Sequence, residues 1–252
     1  VDGSKLDKTD PARFTVINKD PVINVTETDY GSMYSAQRDA EEGFDHHRFA
    51  SFIFPFWVTW PSDMVEDSLA VNAWVPIDDE NTMIFNIDMH RGTKDTSLKY
   101  EDGSKVDGLD RPLEYLPRTN DWQGRWRPVP RKENDYLIDR EWQRSGESYS
   151  GIRGVPLQDQ AIQESMGGIV DRSLEHLAAS DRMVMLTRRI LLKAAIEYRD
   201  TGKLPRVLDE PELCRNARGG DIVSPKGTDW LDAYEAAMNA ANGPLHPPKA
   251  AE

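Results

Sequence analysis

The sequence predicts an α+β domain in which a curved antiparallel sheet wraps around a long C-terminal helix. Three observations carry that class. Runs of β-prone residues fill the first third, between Phe14 and His90. A turn-rich stretch follows from Gly92 to Lys132. A single strong amphipathic helix, "SDRMVMLTRRILLKAAIEYRDTG", comes late. Strands that precede one long helix segregate the two element types and leave a cavity between them.

The elements follow in order. Residues Phe14 to Ile17, then Val25 to Arg38 through "ETDYGSMYSAQR", read as strands, with a turn at "NKDP" and room for a bulge at Gly31. "RFASFIFPFWVTWP", Arg48 to Pro61, is the strongest strand candidate, and Pro55 inside it marks an edge, a bulge or an exit from the sheet. Leu69 to Pro76 and Thr82 to His90 make a hairpin around an acidic turn. The stretch 92–132 is a long insertion, either a lid or binding loop or a subunit contact, with Trp122 and Trp126 as anchors. "QDQAIQESMG" is a short helix stopped at Gly167 and Gly168, and a second short helix begins near Asp171. The long helix takes Ser180 or Asp181 as N-cap and Gly202 as its stop. Its Met183, Leu186, Ile190, Ala194 and Tyr198 recur at helical spacing and should bury against the sheet. Beyond Leu204 the chain reads as coil plus one weak helix.

Composition narrows the function classes. The 252 residues suffice for one sizeable core. Lys and Arg number 31 against 44 Asp and Glu, a net charge of −13, which argues against binding nucleic acid or an anionic membrane surface. A small acidic substrate stays compatible, because a pocket can be basic in an acidic protein. One cysteine, Cys214, excludes an internal disulfide framework and an all-cysteine metal centre. With no apolar run near the roughly 18 residues of a membrane span and no signal-peptide core, the reading is of a soluble, cytoplasmic protein.

The chain has few groups for chemistry. Asp159 opens a helical segment, where an acid serves either the helix dipole or a metal. His176 is a helix-surface histidine beside Glu175. His46 and His47 are adjacent on a strand, so their rings point to opposite faces and at most one faces the interior. His90 ends a strand and His246 lies in a proline-rich tail. None of these gives HxxxH, HxH or HExxH spacing. Asp78, Asp79 and Glu80 read as a solvated turn without the calcium-loop pattern. Arg215 beside Cys214 is a reason to look for a lowered thiol pKa, yet no base accompanies it. Walker, GxGxxG and GxSxG motifs are absent. Aromatic side chains in "FIFPFWVTWP" suit a core or a cavity for a flat molecule. Arg48, at the entrance of that strand, would bind a substrate carboxylate in a bidentate contact if it points inward.

Four stretches in this order, "ETDYGSMYSA", "FIFPFWVTWP", "AWVPIDDENTMIFN" and "GIRGVPLQDQAIQESMGGIVDRSLEHLAASDRMVMLTRRILLKAA", resemble the large subunit of Rieske-type aromatic-ring oxygenases of the phthalate 4,5-dioxygenase-like and vanillate demethylase-like group. The resemblance covers about residues 13 to 200 and falls on the C-terminal catalytic part of that subunit. It implies a helix-grip fold of the START and Bet v 1 type. It implies a catalytic domain over 1–204, N-terminally incomplete and carrying the 92–132 insertion, and a C-terminal extension over 205–252 that packs on the domain or on a neighbouring subunit. Carried over by motif, Asp159 of "QDQAIQES" is the carboxylate ligand of a mononuclear Fe(II), in a site of two histidines and one aspartate. Those histidines belong to a DxxH-x4-H helix, and neither that helix nor the cysteines of the [2Fe-2S] Rieske cluster occurs in this sequence. Gly167-Gly168 stands where the group commonly has Gly-Pro. The implied activity is ring hydroxylation or O-demethylation of an aromatic carboxylate with O2, by an oxygenase component inactive as this segment alone. Electrons would come from NAD(P)H through a reductase and the Rieske cluster, in a homotrimer or a multiple of trimers. The alternative is a non-catalytic helix-grip protein that binds an apolar or aromatic ligand.

Overall fold

A computed structural model describes residues 3–90, 97–109 and 112–241 of the chain. Its first helix, α1 (Arg13–Ile17), replaces the strand expected there. The Asp10 carboxylate accepts the Ala12 amide at 2.9 Å, and Pro11 supplies a pre-set φ, so the "DPAR" segment starts a helical turn. Phe14 of α1 is 6% exposed and lies against the ring of His46.

Six strands follow as a meander: β1 (Val22–Thr28), β2 (Gly31–Asp39), β3 (Phe44–Ile53), β4 (Trp57–Trp60), β5 (Ser68–Pro76) and β6 (Thr82–His90). Asp29 and Tyr30 form the β1–β2 turn, with Thr28 opposite Gly31. Gly31 has φ +153°, and a Cβ there would lie 2.2 Å from the Phe52 carbonyl oxygen, so the pairing of β2 with β3 requires glycine. The long apolar run is two strands, and Pro55 lies in the link where the chain leaves the sheet and returns.

The tail holds an element that the sequence reading left as coil. β7 (Gly220–Pro225) pairs with β3 over Phe44 to Phe49, on the edge that β4 occupies further along at Ser51 to Ile53. Gly219 and Gly220 let it arrive, since Cβ atoms there would lie 2.7 Å from Trp60 and 2.6 Å from Val65 backbone atoms. α5 (Trp230–Ala241) then buries Ala233, Tyr234, Ala237, Met238 and Ala241 at helical spacing. Tyr234, Ala237 and Met238 among them form a core cluster with Met33, Phe49, Val65 and Ile222. Phe49, fully buried, contributes about 1.5–3 kcal/mol through removal from water.

The long helix is α4 (Arg182–Thr201), with Asp181 as N-cap and Gly202 in the left-handed region at φ 74°. It lies on the opposite face of the sheet from α5, against β1 and β2, where Ser32 Oγ and Thr187 Oγ1 are 2.9 Å apart. Ile190 is its buried centre and Met183, Leu186 and Ala194 are half-buried, while Tyr198 is exposed.

The expected helix-grip architecture, a curved sheet wrapped around this helix, is not what forms. The sheet is antiparallel and open, with β1 and β6 at its two ends, and it is neither closed nor strongly curled. A physical reason lies in β5 and β6. The face they would turn to a gripped helix carries Asn72 opposite Asn86, with Asp88 one step along, which an apolar helix stripe does not cover. The architecture is a sheet covered by α5 on one side and by α1 and α4 on the other.

Between β6 and the helices, residues 97–109 and 112–131 make isolated bridges but no helix or longer strand. Two helices follow, α2 (Arg140–Ser145) and α3 (Val155–Ser165). The helix expected from Asp171 is a single turn over Arg172–Leu174, capped by the Asp171 carboxylate on the Ser173 amide. Among the described residues no helix is long and apolar enough to cross a membrane.

Candidate functional site

α3 is fixed by one face. Leu157, 1% exposed, packs with Tyr136 and Ile152, and Ala161 and Leu113 close the cluster. One turn on, the Tyr136 hydroxyl donates to Glu164 Oε2 at 2.6 Å, and Gln160 donates to the other oxygen of the same carboxylate at 2.8 Å. Burial, then the Glu164 carboxylate, pushes the Tyr136 hydroxyl far up, so it stays a donor. Asp159 lies on the opposite face, exposed, between exposed Val155, Ile162 and Met166. Its carboxylate has no hydrogen bond or ion pair among the described residues. An acid in the middle of an uncovered apolar stripe is an unusual use of a helix face.

The described residues contain no group of three or more His, Cys, Asp and Glu side chains able to hold a metal ion. Asp159 offers one oxygen donor, and the residues around it do not complete a metal site. His176 is exposed. His90's side chain and His246 lie outside the described residues.

His46 and His47 point to opposite faces of β3, yet both are buried, at 0% exposure. The expectation that at most one faces the interior fails because helices cover both faces of β3. His46 Nε2 lies 2.9 Å from Asp221 Oδ1, and its Nδ1 has no hydrogen-bond partner among the described residues. On the other face His47 sits between Ser35 Oγ at 3.3 Å and Ser224 Oγ at 3.1 Å. Asp221 went unnoticed in the sequence. Its signal was the alternation of "GDIVSP", too short to separate from coil without its partner strand.

Arg48 points to the same face as His46 and is half-buried, one Nη donating to the Pro61 carbonyl at 2.9 Å. It stands opposite Asp221 on β7 and Ala36 on β2, and Arg38 stands opposite His46. Arg38 donates to the carbonyls of Asn18 and Ala36. Burial, then the charge of Arg48, lowers its pKa. Tyr34, two residues along β2 from Ala36, has its hydroxyl pushed up by burial. The Arg38 and Arg48 guanidiniums therefore lie together on one half-buried face, with Asp221 the carboxylate that acts on Arg38. Such a face suits a compact anion.

The remaining candidates have structural roles. Asp78 accepts the Glu80 and Asn81 amides and the Asn81 side chain, and these bonds, the Glu80 amide first, hold its carboxyl below the usual range. That is an Asx turn at a hairpin tip. Cys214 packs against the Tyr30, Ile53 and Val207 cluster, and burial raises its thiol pKa instead of lowering it.

A family model described as "LigXa C-terminal domain like" matches residues 2–247. The chain is 43% identical over 220 residues to the 3-chlorobenzoate-3,4-dioxygenase oxygenase subunit of Comamonas testosteroni, which covers 85% of this chain and 50% of that protein. It is 29% identical over 231 residues to the phthalate 4,5-dioxygenase oxygenase subunit of Pseudomonas putida, covering 89% of this chain and 50% of the relative. The chain thus spans about half the length of the curated relatives it matches.

Proposed function

Because the chain belongs to the large-subunit family of Rieske-type aromatic-ring oxygenases, we propose that it is the catalytic part of an oxygenase component that hydroxylates or O-demethylates an aromatic carboxylate with O2. The observation that supports this reading is the carboxylate of Asp159, which has no hydrogen bond or ion pair among the described residues and stands on α3 at the position that matches the motif of the family's iron ligand. Residues 1–204 form the catalytic domain in this reading, and 205–252 an extension docked through β7 and α5.

Asp159 is the Fe(II) carboxylate, a hard oxygen donor suited to that ion. The reading requires two histidines from a further segment of the whole subunit, since the described residues near Asp159 supply none. The chain's own contribution is substrate recognition. Arg48 takes the substrate carboxylate, with Arg38 adding a second positive charge and Tyr34, kept neutral by burial, a hydroxyl donor. The names of the relatives, one acting on chlorobenzoate and one on phthalate, support an aromatic acid as substrate. The partners are a reductase drawing on NAD(P)H, a [2Fe-2S] Rieske cluster elsewhere in the subunit, and further copies in a homotrimer or a multiple of it.

The test is substrate-dependent product formation by the whole oxygenase component with reductase, NAD(P)H and O2. Asp159→Ala should abolish both product and bound mononuclear iron while leaving the melting temperature unchanged, because the side chain is exposed. Full retention of product and iron in the variant would overturn the assignment.

A further inference from the structure

Asp135, Tyr136 and Leu137 all lie in the left-handed region, each at φ 54°. There the Cβ of an L-residue crowds the following carbonyl oxygen, so non-glycine residues enter it singly, and three in succession store strain in the backbone. Such strain persists only where the surroundings over-determine it. Here they do. The Tyr136 amide donates to the Arg131 carbonyl at 2.9 Å. Asn134 ties the approach, its side chain accepting the Arg131 amide at 2.9 Å and donating to the Val129 carbonyl at 2.8 Å. On the exit side the Ile138 amide bonds to the Asp135 carbonyl at 3.1 Å, and the Asp139 amide to the Gly151 carbonyl at 2.9 Å.

The turn sorts its three side chains. Asp135 and Leu137 are exposed, while Tyr136 is buried, its ring packed with Leu157 and Ile152 and its hydroxyl on Glu164 at 2.6 Å. Leu157 and Glu164 are seven positions apart, two helical turns, so they lie on one face of α3. Gln160, between them, holds the second Glu164 oxygen. The start of the helix is tied separately, by the Gly154 amide on the Gly108 carbonyl at 2.8 Å and the Val155 amide on the Leu109 carbonyl at 3.2 Å. One tyrosine thus meets α3 twice, through an apolar contact and a polar one, and the pair sets the rotation of the helix about its axis. Asp159 is two residues past Leu157, about 200° around, so any such rotation moves its carboxylate. A loop that only joined two elements would have no use for a strained turn.

We propose that Tyr136 is a positioning residue for Asp159: the left-handed turn delivers its ring to Leu157 and its hydroxyl to Glu164, and so fixes the direction in which α3 presents the Asp159 carboxylate. The inference rests on Asp159 as the iron ligand and adds the residue that aims it. A metal site needs its ligands held by side chains that are themselves locked by packing and hydrogen bonds, and Tyr136 has both.

The affinity of the whole oxygenase component for mononuclear iron, measured by competition with a chelator beside the melting temperature, tests it. Tyr136→Phe and Glu164→Ala should each weaken iron binding at least about tenfold, the scale of loss for groups that support a metal ligand. Glu164→Gln, whose amide oxygen still accepts the tyrosine hydroxyl, should bind iron as the wild type does. Tyr234→Phe is the control for stability. The Tyr234 hydroxyl donates to the Asn216 carbonyl at 2.6 Å on the α5 side, and its loss should lower the melting temperature without moving iron affinity. Iron held by Tyr136→Phe as tightly as by the wild type overturns the proposal, and so does an equal loss of affinity in Tyr234→Phe or in Glu164→Gln. Asp159→Ala in the same assay separates the two readings. If that variant keeps its iron, the ligand assignment fails and the aiming role with it; if it loses iron while Tyr136→Phe does not, the assignment stands and the aiming role alone fails.

Discussion

Arg48 and His47 are neighbours on β3 with opposite duties, set by the alternation of a strand. Arg48 shares its face with Arg38 and Asp221, and replacing it with methionine keeps the apolar stem while removing the charge. The substrate dissociation constant of the whole oxygenase should rise at least about tenfold, or about 1.4 kcal/mol. An unchanged constant by calorimetry would remove Arg48 from the substrate site. His47 faces the α5 side at 0% exposure. Burial, with a smaller contribution from His46, lowers its pKa, and Asp45 opposes them. The unfolded chain therefore takes up its proton first as pH falls below about 6.5. The contribution of His47 to stability is complete above that pH and is lost on acidification, by at most about 1.4 kcal/mol per pH unit. Melting temperatures between pH 7.5 and 5.5 should fall for the wild type and fall less for His47→Gln.

At the scale of elements, α3 holds its orientation through a few contacts. Tyr136→Phe deletes the donor to Glu164 and should cost about 1 kcal/mol, read as a shift in the denaturation midpoint. If Asp159 serves a metal, the same change should also weaken iron binding, since it loosens the helix that presents the carboxylate. Some elements were legible in the sequence because their signals are local. The stop of α4 and the β5–β6 hairpin are written in Gly202 and the Asp78 turn. α1 was missed because four apolar-rich residues resemble a strand unless the Asp10-Pro11 start is weighed. β7 was missed because its stability comes from β3, nearly 180 positions earlier in the chain. The shape of the sheet was missed for a related reason. Element order says that strands and a helix pack, but which strands receive the helix depends on faces, and Asn72 and Asn86 meet only once register is known.

For the molecule as a whole, the proposed function puts substrate recognition on one sheet face and the metal carboxylate on a helix. The role proposed for Asp159 rests on its motif, since an acid in a helix's first turns has an ordinary reason to be there. That its carboxylate has no hydrogen bond or ion pair among the described residues, and that apolar residues surround it, are visible only in three dimensions. The opposite is true of Arg38, whose place beside Arg48 depends on the pairing of β2 with β3. The most direct measurement is the mononuclear iron content of the whole oxygenase component, wild type against Asp159→Ala, with the Rieske cluster quantified separately by its absorbance. The iron-ligand role of Asp159 requires one mononuclear iron per subunit in the wild type and none in the variant, with the cluster intact in both. Equal mononuclear iron in the two proteins, or none in either, would contradict it.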